Sequence, residues 1–212
     1  MINLKDIMTI DSLTYGEPSK ADIKKMSNDV GAFEGFDIKQ FKQNPQPKNS
    51  SSETLDELLK IQNIKRDEDL IVKADDILNY FKDYIEALGF EYPEKHVKKL
   101  LVTSKPIILK LKYHYNRPRP SDLAEYWNLK LDNFYLKTMG TPSYPSGHST
   151  QGILVGLSLG KMFPKYAKQL LKLGKEISYS RLVSKAHYPS DSRFGEALGL
   201  ELYRHMEKNN GR

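Results

Sequence analysis

The 212-residue sequence predicts an all-α fold, a single-domain helical bundle. Three observations carry that expectation. After residue 52, apolar residues recur at three- and four-residue intervals over most of the chain, the period of a helix that buries one face. No run alternates apolar and polar residues as a half-buried strand requires. Pro, Ser and Thr stand where the apolar periods begin, as helix starts prefer.

Residues 1–52 read as an irregular N-terminal arm and linker that ends in the polar stretch NPQPKNSSS, and residues 53–212 as the helical domain. Thr54 with Glu57 has the pattern of a capping box before Leu55, Leu58, Leu59 and Ile61. Leu70, Ile71, Ala74, Ile77, Leu78, Phe81, Ile85 and Leu88 keep helical spacing until Gly89 offers a stop. Pro93 opens the next helix, which runs past Leu111 with a kink or break expected at Pro106 and an end near NRPRP. A short helix is expected over 122–129. Another starts at Ser146 or Gly147 and reaches about Met162, with Gly152, Gly156 and Gly160 on one face for a close helix neighbour. Pro164 begins a further helix, and Ser190 caps the last one, from Asp191 to about Glu207.

Composition narrows the functional classes. Cysteine is absent, which excludes disulfides, thiolate metal sites and a cysteine nucleophile. The longest apolar run, from Ile153 to Leu159, is interrupted by Gly156 and Ser158, so no window approaches the ~18 apolar residues of a membrane span. The opening MINLKDIMTIDSLTYGEPSK has neither a basic nor an apolar leader region, and the expectation is a cytoplasmic protein, with peripheral membrane contact left open. Residues 1–94 carry 12 Lys+Arg against 19 Asp+Glu and residues 95–212 carry 21 against 8, so the two parts have net charges of −7 and +13. The basic part points to an anionic partner: a phosphorylated small molecule, an acidic lipid surface or nucleic acid.

Three stretches of that basic part carry chemistry. In SYPSGHST, a Pro-Ser-Gly entry to a helix leaves backbone N–H groups free for an anion. Ser146 adds a hydroxyl, Gly147 an N–H, and His148 stands in the first turn, placed to give a proton. In SRLVSKAHYPSD, Asp191 follows His187 by four residues. It can take the Nδ1–H bond, which fixes the tautomer that presents a lone pair at Nε2. Arg181 supplies a planar, permanently charged fork for phosphate oxygens. In KLKYHYNRPRP, a lysine precedes an Arg-Pro by seven residues in two registers, Lys112 with Arg119 or Lys110 with Arg117. Of the remaining histidines, His96 and His205 read as solvated helix faces, and His114 as a site-lining residue or a helix cap. No HExxH or paired Cys/His spacing suggests zinc, so no metal ligand is assigned.

Taken in order, K-x6-R-P, P-S-G-H and S-R-x5-H-x3-D resemble the tripartite signature shared by bacterial class A non-specific acid phosphatases, type 2 phosphatidic acid phosphatases and vanadium-dependent haloperoxidases. Eleven fixed positions in this order arise by accident on the order of once in 10⁸ chains of this length, which separates the match from any lone motif. KYHYNRPRP and SYPSGH look most like the soluble acid phosphatases, whose register favours Lys112 and Arg119; HYPSD looks more like the membrane phosphatases.

The resemblance implies a helical bundle of that type and a phosphatase acting on phosphate monoesters. His187 would attack phosphorus to give a phosphohistidine, His148 would protonate the leaving alkoxide, and Asp191 would hold His187. Lys112, Arg119, Arg181, Ser146 and the Gly147 N–H would meet the charge on the equatorial oxygens, so no cofactor is expected and vanadate should inhibit. Within the same signature, a lipid phosphatase at a membrane surface and a haloperoxidase with vanadate as cofactor on His187 are the alternatives. A phosphate- or nucleic-acid-binding module is the non-enzyme alternative, although binding alone does not need His148, His187 and Asp191 together. A phosphorylated small molecule is the expected partner, with no specific nucleic acid, and self-association of the chain stays open.

Overall fold

The structure, a computed structural model, describes residues 9–210; residues 1–8, which open the stretch read for a leader, lie outside the described residues. The helices are α1 Lys20–Met26, α2 Ser52–Gln62, α3 Glu68–Asp75, α4 Ile77–Ala87, α5 Glu94–Tyr115, α6 Pro120–Ala124, α7 Gly147–Met162, α8 Ala167–Val183 and α9 Pro189–Asn210. No strand occurs among the described residues, so the fold is all-α. None of the described helices is long and apolar enough to cross a membrane.

The bundle is organised around α7, whose residues from Gly152 to Gly160 are buried apart from Leu157. A helix without a polar face has to be surrounded, and α8, α9 and α5 enclose it. Leu154, Val155 and Leu159 are fully buried, each worth roughly 1.5–3 kcal/mol of transfer free energy. The expected glycine face lies against α8: a Cβ on Gly152 would stand 2.8 Å from the Gly174 carbonyl oxygen, and one on Gly156 the same distance from that of Leu170. The last helix uses the same device. A Cβ on Gly195 would fall 2.5 Å from the Ser146 oxygen, so α9 touches the start of α7 backbone to backbone.

Several local expectations change. α2 is capped by Ser51, which accepts from Thr54 N at 3.2 Å, while Glu57 turns inward and is buried. The Leu70–Leu88 period is two helices instead of one. Asp76 ends α3 and caps α4, accepting from Asn79 N at 3.1 Å, because an Asp side chain that can bond a nearby N–H competes with helix continuation. α5 runs unbroken through Pro106 and stops at Asn116, whose φ of 51° is left-handed. α6 is displaced toward the prolines, covering Pro120–Ala124 where 122–129 was expected. A 3₁₀ turn, Pro164–Tyr166, precedes α8. α9 starts at Pro189, so Ser190 is inside the helix and its hydroxyl donates to Glu57 instead of capping.

The described part of the N-terminal arm carries α1, capped by Ser19, and packs into the bundle. Phe33 and Phe41 join the main core with Phe81, Leu100 and Leu198, and Ile10 joins a second cluster with Leu58, Ile61 and Tyr188. Tyr113 OH donates to Asp22 at 2.9 Å, tying α1 to α5.

Candidate active site

Lys112 lies one turn before the end of α5 and is 4% exposed. Its ammonium donates to the carbonyl oxygens of Pro142 and, at 3.4 Å, Ser143. Burial, and then repulsion from Arg119, pull its pKa well below that of an ordinary lysine. Beyond the left-handed Asn116, two Arg-Pro pairs force extended backbone and swing Arg119 under the site. Its Nε and Nη2 donate to the Thr141 oxygen at 3.0 and 2.7 Å, and its Nη1 to the Ala186 oxygen at 2.8 Å and to His187 Nε2 at 3.0 Å. Burial lowers Arg119 to about 10. Of the other lysine and arginine pair, Lys110 is exposed, and Arg117 is buried on the side of Asp191 away from His187.

Ser146 is the N-cap of α7, accepting from Ser149 N at 3.3 Å, and its own N–H donates to the Asp191 oxygen at 3.0 Å. Gly147 abuts the Lys112 side chain, 3.8 Å from where its Cβ would be. His148 follows in the first turn, and its Nε2 stands 3.1 Å from the Asp75 carbonyl oxygen and 3.3 Å from Asp75 Oδ1.

His187 sits in the short α8–α9 connection and is 4% exposed. Its Nδ1 is 3.1 Å from Asp191 Oδ2. The same oxygen accepts from Ser143 Oγ and, at 3.0 Å, from Tyr188 N, and Oδ1 accepts from Arg117 Nη1 at 2.7 Å. Burial opposes ionisation of Asp191 more than any other single influence, yet Arg117 and His187 outweigh it and keep the carboxyl below the usual range. Asp191 is therefore an acceptor, Nδ1 carries the proton, and Nε2 presents its lone pair toward Arg119. Burial first, and Arg119 next, push the His187 pKa well below normal, so the ring is neutral at pH 7.

Arg181, at the end of α8, donates from Nη1 to Asp75 Oδ1 at 2.7 Å. Arg181 adds a smaller lowering influence on Arg119, well behind burial. His187 lies against Arg119, and His148 against the Asp75 carboxylate that Arg181 holds. A cleft of about 910 Å³ is lined by Lys112, Gly147, His148 and Asp75 together with Leu101, Val102 and Leu109, whereas His187, Arg119 and Arg181 are not among its lining residues.

All eight residues singled out from the motifs thus converge on one region. The motifs do not name Asp75, Ser143 or Glu57, and they name Arg117 only in the second register with Lys110; these four complete its hydrogen bonding. Asp76, beside Asp75, has the residue type of a helix cap, but the apolar period runs on around it and gives Asp75 itself no signal. Of the histidines read as bland, His96 and His205 are instead half-buried, bonded to Ser158 Oγ at 2.7 Å and to the Glu34 oxygen at 2.8 Å. His114 is exposed in the last turn of α5.

The chain is similar to a non-specific acid phosphatase of Salmonella typhimurium, 28% identical over 129 residues that cover 61% of this chain and 45% of that protein. It is also similar to an acid phosphatase of Zymomonas mobilis, 36% identical over 127 residues, 56% of this chain and 47% of that protein. The chain therefore matches about half the length of these curated relatives. The model of the PAP2 superfamily matches residues 100–205, a span that is half of the chain and contains Lys112, Arg119, Ser146, Gly147, His148, Arg181, His187 and Asp191. With that match laid over this geometry, the chain belongs to the PAP2 superfamily.

Proposed function

We propose that this protein hydrolyses phosphate monoesters through a phosphohistidine on His187, without a metal. The observation that carries the reading is the suspension of His187 between Asp191 at Nδ1 and Arg119 at Nε2, at 3.1 and 3.0 Å. A neutral imidazole with its proton fixed on the far nitrogen is a nucleophile, and Arg119 marks where an oxyanion competes for the guanidinium.

In the first step Nε2 forms a bond to phosphorus as the ester P–O bond breaks, and His148 gives its proton to the departing alkoxide. In the second, water attacks phosphorus, His148 takes a proton from it, the N–P bond breaks, and phosphate and neutral His187 are regained. Lys112, Arg119 and Arg181 offset the charge of the three equatorial oxygens, which is why no cofactor is needed. Vanadate, a mimic of the five-coordinate phosphorus, is the expected inhibitor.

The test is phosphate release from a panel of phosphomonoesters, diphosphates and nucleotides, with His187→Ala as the control and acid-labile, base-stable phosphoprotein as the trapped intermediate. Release by the parent no faster than by His187→Ala would overturn the reading. The same chemistry on a lipid phosphate is favoured by the cleft wall, where Val72 and Val102 are 58% and 60% exposed, and by Lys105 and Lys137, which line the cleft and are exposed. Faster turnover of vesicle-bound phosphatidate than of its short-chain form would select that version.

A further inference from the structure

Arg117 is fully buried, and the reaction above makes no use of it. Its Nη1 donates to Asp191 Oδ1 and to Ser190 Oγ, each at 2.7 Å, and its Nη2 to Glu57 Oε2 at 3.3 Å and Thr54 Oγ1 at 3.4 Å. The guanidinium carbon lies 3.7 Å from the centroid of the Tyr188 ring. Glu57, 5% exposed, accepts from Ser190 N and Ser190 Oγ at 2.6 Å and from Arg193 at 3.3 Å. The result is a buried row of alternating charge, Glu57, Arg117, Asp191, that ends on the His187 ring, with Arg119 3.0 Å from the ring's other nitrogen.

A buried ion pair is weak evidence for stability, since desolvation offsets most of its attraction. Its position here is more informative. Arg117 and His187 bond opposite oxygens of one carboxylate, Oδ1 and Oδ2, so the charge that Arg117 attracts to one oxygen is withheld from the other.

We propose that Arg117, backed by Glu57, is a positioning pair that sets how strongly Asp191 pulls on the Nδ1 proton of His187. With Arg117 present, Asp191 orients the ring without drawing that proton to itself, and Nε2 keeps its lone pair facing Arg119. Removing the Arg117 charge leaves Asp191 more basic and draws the Nδ1 proton closer to it. Removing the Glu57 charge leaves Arg117 to Asp191 alone and weakens the pull. The two changes therefore act in opposite directions, which a purely structural role does not produce.

The proposal rests on the same site as the phosphatase reading, but its measurement needs no turnover. The readout is the Nδ1–H resonance of His187 in the full chain at neutral pH, identified by its loss in His187→Ala. Arg117→Gln should move it downfield, Glu57→Gln upfield, and Arg117→Lys should leave it near the parent position. Shifts of the same sign in Arg117→Gln and Glu57→Gln, or an unmoved signal in Glu57→Gln, would overturn the proposal. Should the Arg117 variants fail to fold, the near-isosteric Glu57→Gln decides alone: an upfield shift supports the pair, and any other result rejects it. A parent without phosphatase activity would reject the proposed reaction and leave these signals as they are.

Discussion

Asp75 Oδ1 and Arg181 Nη1 meet at 2.7 Å, so one of the three cations proposed to meet the phosphate oxygens is also held by a carboxylate of the chain. That oxygen is 3.3 Å from His148 Nε2 as well. Burial and then Arg181 lower the His148 pKa, and Asp75 opposes both. A general acid works only while protonated, so its activity is lost as pH rises through its pKa. Asp75→Asn should therefore shift the alkaline limb of the kcat profile to lower pH by about one unit, the scale of losing an opposite charge at this distance. KM for the phosphate ester should fall, because the competing anion is gone. A limb that stays in place would separate Asp75 from the acid.

Replacement of His148 by alanine should cost roughly 10²–10⁴ in kcat on alkyl phosphates. On aryl phosphates with a stable phenolate leaving group the loss should be far smaller. Equal losses on the two series would remove His148 from proton transfer to the leaving group.

Lys110 and Lys112 separate cleanly. Lys110 is exposed, whereas Lys112 is buried behind Pro142 and Ser143. Lys110→Ala should stay within about twofold of the parent, as exposed substitutions generally do, and Lys112→Ala should lose roughly 10²–10³ in kcat/KM, the scale of removing one oxyanion donor. The reverse order would restore the Lys110 and Arg117 register.

The contact between α7 and α8 gives a stability prediction. Gly152→Ala puts a methyl 2.8 Å from the Gly174 oxygen, and backbone on both sides cannot yield cheaply. A loss of ~1–3 kcal/mol is expected, or a Tm lower by about 2–4 °C per kcal/mol. Gly140→Ala, where the nearest atom is 3.8 Å away, is the control and should melt like the parent.

Acid should weaken the fold, by a route the histidines set. Burial lowers both His148 and His187 below the ordinary value, so as pH falls through ~6.5 the unfolded chain takes up protons that the folded one refuses, and stability drops. The depressed carboxyl of Asp191 adds stability that is present above ~3.9 and lost only at lower pH, as the folded group protonates. Urea midpoints at pH 7.5 and 5.5 should thus fall in the parent and fall less in His187→Gln. A parent midpoint that rises on acidification would contradict two imidazoles whose protonation the fold resists.

What the chain makes legible follows from how local each signal is. The Pro-Ser-Gly-His start of α7 could be read because Ser146 caps its own helix and the glycine face of α7 repeats within that helix. The eight motif residues were readable because their types and spacings are specified within three short stretches. Asp75 was not, since its role depends on Arg181, more than 100 positions away, and its placement on a helix break hidden inside an uninterrupted apolar period. Glu57 was read as half of a cap because the i, i+3 pattern is local, whereas its partners Arg117 and Ser190 lie 60 and 133 positions further along the chain. Local signals specify elements, and the pairing of buried charges emerges only when those elements meet.

The backbone contact of Gly195 with Ser146 sits at the beginning of α7, and the 3₁₀ turn Pro164–Tyr166 lies past its other end, about 24 Å away at 1.5 Å per residue. Pro164 and Lys165 are exposed there. That corner is the natural place to splice in a reporter or tether the protein to a support, because a graft at this distance leaves the alignment of the two imidazoles to glycines it never touches.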